Sequence, residues 1–248
     1  MSLKSVVFTT VHKGASSFIA DQLARYLVES EHFQTFLPVG AMRIRGTEIA
    51  EMTNWPSAGL VAVRVYPAEF RDLQAEVPDF PSFASEASLV FVQRDPRDVA
   101  VSLFYSKAFS HTPDVLNRDR FMEDRERLQT MSPREGVAKL TGQAAIAEFS
   151  KLHELCRSVN GLMTRYEDLV TNPIGWFEKV GTACEWPRSL ITDLQLEFID
   201  SFKPPDVADP LQHKRRITPG NWREVFDEEL EREFEKKIGD RLRANGYT

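Results

Sequence analysis

Only two cysteines, Cys156 and Cys184, occur in 248 residues, so a disulfide framework is excluded, and no C-x-x-C pair or Cys/His cluster has the spacing of a metal site. No metal is expected, and the cysteine usage fits a reducing compartment, hence a cytoplasmic location. Long apolar runs are missing as well: nothing approaches the roughly 18 residues that a membrane helix needs. The first apolar segment, Val6 to Val11, starts almost at once and does not read as a signal peptide. No membrane association is expected. Basic charge is not in excess either, since 31 Lys and Arg face 37 Asp and Glu for a net charge of -6. Broad binding to nucleic acid relies on a basic surface that releases counterions. Nucleic acid is therefore set aside as a partner, and any anion site has to be local. No repeat, low-complexity tract or Pro/Gly/Ser linker divides the chain, and at 42% hydrophobic residues it can bury a sizeable core. One domain over 1–248 is expected.

What the chain does contain is an alternation of short β-type runs with segments of helical period. This is the pattern of an α/β fold with a central, mostly parallel sheet flanked by helices. Val6 to Val11, Leu60 to Val65, Leu89 to Val92 and Leu162 to Arg165 read as short buried strands, and a fifth is expected near Phe36 to Met42. Phe18, Ile19, Leu23 and Leu27 recur near a 3.6-residue period, so the helix after the first strand packs one face on the sheet and starts at Ser16/Ser17. Pro133 to Ser158, Pro173 to Cys184 and Asp227 to Asn245 read as further helices, the last closing at Gly246 after Arg241 and Arg243. Residues 110–133 are dense in charge, which suits either a solvated helix or a mobile cover over an acceptor site.

The first stretch that carries chemistry is His12-Lys13-Gly14-Ala15-Ser16-Ser17, where a strand turns into a helix. Backbone N–H groups and the positive dipole end of that helix, the Lys13 ammonium and the two Ser hydroxyls can converge on one anion. A Walker loop, G-x-x-x-x-G-K-[ST], places its Lys after the second Gly. Here Lys13 precedes Gly14 and two hydroxyl residues follow, an inverted order that points to a different transferred group. A plain helix cap at Ser16 or Ser17 with a solvated Lys13 would use the same residues.

A second constellation, Arg94-Asp95-Pro96-Arg97-Asp98-Val99-Ala100-Val101-Ser102, follows the strand Leu89 to Val92. Asp95 is placed to cap a helix and Pro96 to open it. Arg94 then lies in the turn and Ser102 about two turns in, so guanidinium and hydroxyl can share one phosphate. Capping and ion pairing at a helix start is the competing explanation for Arg94, Arg97 and the aspartates.

Lys13 through Phe18 resembles the K-S-G-T-T-W loop of sulfotransferases, and Arg94 through Ser102 resembles their R-[DN]-x-[RK]-D-V-A-V-S segment nearly residue for residue. Tyr166-Glu167-Asp168-Leu169 before Asn172-Pro173 is similar to the family's Y-E-D-L segment and its following helix start. Arg215-Arg216-Ile217-Thr218-Pro219-Gly220-Asn221-Trp222 is similar to R-K-G-x-x-G-D-W. The four motifs keep the family's order and span Lys13 to Trp222, and Ile238-Gly239-Asp240-Arg241-Leu242 with Gly246-Tyr247 also looks familial.

The resemblance implies a P-loop-kinase-like sulfotransferase architecture and the co-substrate 3'-phosphoadenosine 5'-phosphosulfate (PAPS), whose two anionic ends need two phosphate sites. It places Lys13, Gly14, Ala15, Ser16 and Ser17 around the 5'-phosphosulfate, and Arg94 and Ser102 with Arg215 and Arg216 around the 3'-phosphate. Phe18 and Phe202 would sandwich the adenine, Tyr166 would contact its edge, and 203–222 would form a donor-binding loop. Phe18 and Phe202 also suit plain core packing. The product is expected to leave with negative charge on its departing oxygen, which Lys13 would stabilise.

An acceptor hydroxyl or amine must also lose a proton to a base. Cytosolic sulfotransferases use a His in T-H-L-P at the end of the third strand, whereas this chain has Arg64-Val65-Tyr66-Pro67. Glu69, His111 and His12 are the candidates, Tyr66 being a poor base at neutral pH. The family's dimerisation segment is replaced by Phe226-Asp227-Glu228-Glu229, so a dimer of that kind has no support and the oligomeric state stays open. A small-molecule or carbohydrate acceptor would be held by loops such as 110–133, with Phe104, Tyr105, Phe109 and Phe121 as lining or as core. Two other readings compete: a nucleotide-dependent kinase, and a nucleotide-binding module of the same fold that lacks catalysis.

Overall fold

Val6–Thr10 forms β1, and all five of its residues are buried, as expected for a central strand covered on both faces. In the computed structural model, which describes residues 3–44, 55–111, 118–202 and 217–247, the chain turns from β1 into one continuous helical segment. This runs as α1 (Ser16–Phe18), a π-helical turn (Ile19–Leu23) and α2 (Ala24–Glu29). It continues through β2 (Thr35–Pro38), α3 (Val39–Ile44), β3 (Leu60–Val65), α4 (Pro67–Glu76), α5 (Phe80–Glu86) and β4 (Ser88–Gln93). Then come α6 (Pro96–Tyr105), a π turn (Ser106–Ser110), α7 (Arg118–Gln129), α8 (Pro133–Gly136), a third π turn (Val137–Thr141) and α9 (Gly142–Val159). The last elements are β5 (Leu162–Arg165), α10 (Tyr166–Thr171), α11 (Pro173–Ala183), α12 (Arg188–Phe198), a 3-10 turn (Asn221–Glu224) and α13 (Glu228–Ala244). Among the described residues no helix is long and apolar enough to cross a membrane.

The chain divides into two compact units, Met1–Gln93 with Lys151–Ser201, and Arg94–Ser150 with Phe202–Thr248. The first holds the sheet, whose five strands run in the order β2-β3-β1-β4-β5. Every ladder between them is parallel. Strand order reverses on either side of β1, and in open α/β sheets ligands bind beyond the carboxyl ends of the strands at such a switch point. Val6, Val7, Phe8, Ile19, Leu23, Phe70 and Phe91 form the core here. In the second unit Val99, Phe104, Val137, Leu230 and Phe234 are buried together with Trp222.

Helix starts follow the sequence signals closely. Asp95 caps α6 by accepting from the Arg97 N–H at 2.9 Å, with Pro96 at the first helical position. Asn172 caps α11 through Gly175, Ser132 and Glu135 form a capping box on α8, and Asp227 caps α13 through Leu230. Two expectations need correction. Of Phe36 to Met42 only Phe36 to Pro38 is extended, and Val39 begins α3; Pro38, without an N–H, closes the strand. The helix expected from Pro133 to Ser158 is helical throughout, but it contains the π turn Val137–Thr141. Of the charge-dense stretch 110–133, Arg118–Gln129 is a helix whose only buried residue is Leu128.

Candidate active site

The carboxyl end of β1 leads into a turn that an ordinary loop would avoid. Lys13 and Ala15 both adopt left-handed backbone angles, with φ of 62° and 71°. Non-glycine residues are uncommon in this region, and such strain concentrates at functional sites. Gly14 lies between them because nothing larger fits: a Cβ there would stand 2.9 Å from both Val11 Cγ2 and the Val11 carbonyl oxygen. The Gly14 N–H donates to that same carbonyl at 3.0 Å. Ala15, whose methyl cannot accept a hydrogen bond, is the N-cap residue of α1. The turn thus presents a helix start together with Lys13, Ser16 and Ser17, all half-buried.

The same unit brings Tyr66 to this turn across 50 residues. Tyr66 is the N-cap residue of α4, its hydroxyl lies 3.4 Å from Ser16 Oγ, and its ring stacks on His12 with centroids 3.9 Å apart and planes 4° apart. Glu69 sits in the first turn of α4 with Oε2 buried. Phe18 is 5% exposed, and its ring meets Phe198 edge-on at 5.2 Å. Phe198 in turn contacts Tyr26 and Phe177, so Phe18 is part of an aromatic cluster. Tyr166 is buried at the start of α10.

In the second unit the Arg94 to Ser102 segment divides its labour. Arg97 forms a buried ion pair with Asp95, Nη2 to Oδ2 at 2.7 Å, and its guanidinium lies 3.9 Å over the Trp222 ring. Asp98 accepts from the Gly220 N–H at 2.7 Å and from the Trp222 N–H at 2.9 Å. Asp95, Arg97 and Asp98 are therefore structural, in line with the capping and ion-pair explanation. Burial pushes the Asp98 carboxyl above the usual value, against the pull of the Arg94 guanidinium and the Gly220 and Trp222 N–H groups, with Asp95 adding to the rise. Arg94, 5% exposed, is thus a cation held in a buried setting, and Ser102 is half-buried on α6. His111 follows the π turn after α6, exposed, with its ring 5.5 Å from Phe121. Its carbonyl accepts from Arg125. Phe104, Tyr105 and Phe109 form one aromatic cluster in which Phe104 is buried. Phe202 is half-buried. Arg215 and Arg216, and most of the expected donor loop 203–222, lie outside the described residues.

Neither the His12–Tyr66 stack nor the bond from Asp98 to Gly220 and Trp222 could be read along the chain, because each joins positions far apart in sequence. Among the described residues no group of three or more His, Cys, Asp or Glu could hold a metal ion.

A parallel five-stranded sheet with a strained turn at its switch point is the architecture of a P-loop-kinase-like α/β protein. More narrowly, residues 76–246 match the model of the sulfotransferase domain, most of the chain, and the chain belongs to that family. The match starts after the Lys13 turn, whose reading rests on its own geometry. No curated protein is significantly similar in sequence. Among solved structures, mouse sulfotransferase SULT7A1 complexed with PAP is similar at a TM-score of 0.57 and 12% identity, over 97% of this chain and 85% of that one. Retinol dehydratase in complex with retinol and PAP aligns at 0.54 and 18% identity, over 98% and 82%. Its complex with androsterone and the inactive cofactor PAP aligns at 0.54 and 17%, over 96% and 80%. At these identities the likeness speaks for the fold.

Proposed function

We propose that this protein is an enzyme that transfers a sulfuryl group from PAPS to a hydroxyl or amine of a small molecule. The observation that carries the reading is the turn after β1: left-handed Lys13 and Ala15 around a Gly14 that admits no side chain, opening a helix whose N-cap residue is Ala15. A phosphosulfate fits such a cradle, since N–H groups and a positive dipole end face an anion with an ammonium beside it. The buried Arg94 with Ser102 is assigned to the 3'-phosphate, and Arg215 and Arg216 join that role by resemblance. Lys13 is assigned to the charge that builds on the departing phosphate oxygen, where a positioned cation contributes most in the transition state.

Family membership and the PAP complexes of the similar structures support this donor. Retinol and androsterone in the retinol dehydratase complexes support a small organic acceptor. The donor is tested by thermal shift. Adenosine 3',5'-bisphosphate without magnesium should raise the melting temperature, and ATP with magnesium should raise it much less. The reverse ranking would favour a kinase and refute the proposal.

A further inference from the structure

The residue that takes the acceptor's proton is the open role, and the first unit holds an arrangement that fills it. Tyr66 stands at the end of β3, with its ring against His12 and its hydroxyl 3.4 Å from Ser16 Oγ. Gly40 of α3 packs so closely that a Cβ there would lie 3.4 Å from Tyr66 Cε2 and 2.9 Å from the Arg64 carbonyl oxygen. Arg64, two residues before Tyr66, has a left-handed φ of 53°, and its guanidinium is held by both carboxylate oxygens of Asp21 at 2.9 Å. On this platform the His12 imidazole lies flat, at 3.9 Å and 4°. His12 is exposed and immediately precedes Lys13.

A neutral imidazole has a ring nitrogen that accepts a proton, whereas a phenol hydroxyl mainly donates one. The stack therefore suits a division in which His12 handles the proton and Tyr66 handles the geometry. Glu69 lies three residues further on, in the first turn of α4, with one carboxylate oxygen buried.

We propose, resting on the sulfuryl-transfer reading above, that His12 is the catalytic base and Tyr66 the positioning residue that holds its ring. The acceptor O–H proton passes to a ring nitrogen of His12 as the acceptor oxygen bonds to sulfur. The bond from sulfur to the 5'-phosphate oxygen breaks, and its electron pair stays on that oxygen, beside the Lys13 ammonium, in adenosine 3',5'-bisphosphate. The imidazolium then gives its proton to water.

The test is transfer from PAPS to a series of phenols, from phenol itself, protonated at neutral pH, to p-nitrophenol, which is largely ionised at pH 8 and needs no base. His12→Ala should lower kcat for phenol by about 100-fold or more, the usual share of a general base. The same variant should stay within about threefold of wild type on p-nitrophenol. Tyr66→Phe keeps an aromatic ring for the stack and should recover kcat on phenol relative to Tyr66→Leu. Tyr66→Leu should lose about tenfold in kcat on phenol with KM for PAPS unchanged, since misplacing a reacting group is costly. An equal loss across the series, an unchanged His12→Ala rate on phenol, or a wild-type chain that binds adenosine 3',5'-bisphosphate yet sulfates no phenol would each overturn the assignment. A wild-type chain that does not bind adenosine 3',5'-bisphosphate would instead overturn the sulfotransferase reading, so the two failures are distinct.

Discussion

Removing the Asp98 carboxyl should loosen the Gly220–Trp222 segment by an amount that follows from two bonds. Asp98 is 1% exposed and accepts two backbone N–H groups at 2.7 and 2.9 Å. A hydrogen bond to a charged group contributes about 1.5–3 kcal/mol, and a buried N–H left without a partner costs about 1–3 kcal/mol. Burying the carboxyl is itself unfavourable, as its raised pKa shows. That offset brings the expected net loss for Asp98→Ala to about 3 kcal/mol. For a chain of this size, about 2–4 °C of melting temperature goes with each kcal/mol, so a drop of about 6–12 °C is expected. Asp98→Asn keeps one acceptor oxygen and should lose about half as much. The pH dependence has a definite sign. A carboxyl raised on folding contributes stability that is complete below its unfolded value near 3.8 and is lost as pH rises through its folded value. The wild-type advantage over Asp98→Asn should therefore be wider near pH 4 than at pH 7. Calorimetric melting of the three proteins at both pH values decides. A drop below about 2 °C for Asp98→Ala, or Asn as damaging as Ala, would refute the reasoning.

Two further outcomes are expected. Lys13→Ala should retain binding of adenosine 3',5'-bisphosphate in a thermal-shift titration while transfer falls by about 10²–10³, the usual cost of one transition-state donor; normal turnover would remove Lys13 from the leaving-group role. Burial pushes the Cys184 thiol up to about 12, so its contribution to stability is complete below the ordinary value of 9.0 and is lost as pH climbs toward 12. Iodoacetamide at pH 8 should therefore label Cys184 only on unfolding, and native labelling at the rate of a free thiol would show that the site is open.

Much of the architecture was written in local signals. Asp95-Pro96, Asn172-Pro173 and Asp227 announced helix starts that the structure places there, because capping depends on residues two or three apart. The strands at Leu60 to Val65 and Leu162 to Arg165 fell where β-branched runs put them. Val39 begins a helix within an apolar run whose length is ambiguous between strand and buried helix. The π turns were invisible, since a hydrophobic period near 3.6 does not register one added residue. In the site, the Lys13 turn was legible as an anion site from residue types. Its two left-handed residues, one of them Ala15, were not, because neither side chain favours that backbone. The stack of Tyr66 on His12 depends on β1 and β3 lying side by side, a tertiary fact that no window along the chain contains.

The pairing of β4 with β5 has a consequence for synthesis. Val90 to Gln93 pair with Leu162 to Arg165, so about 70 residues leave the ribosome between one strand and its neighbour. At about 5–20 residues per second, the unpaired edge of β4 stays open for roughly 4–14 seconds, a row of free backbone groups on the strand Leu89-Val90-Phe91-Val92. An edge left open for that long can pair with another copy of the nascent chain, which places a demand on chaperones in that interval.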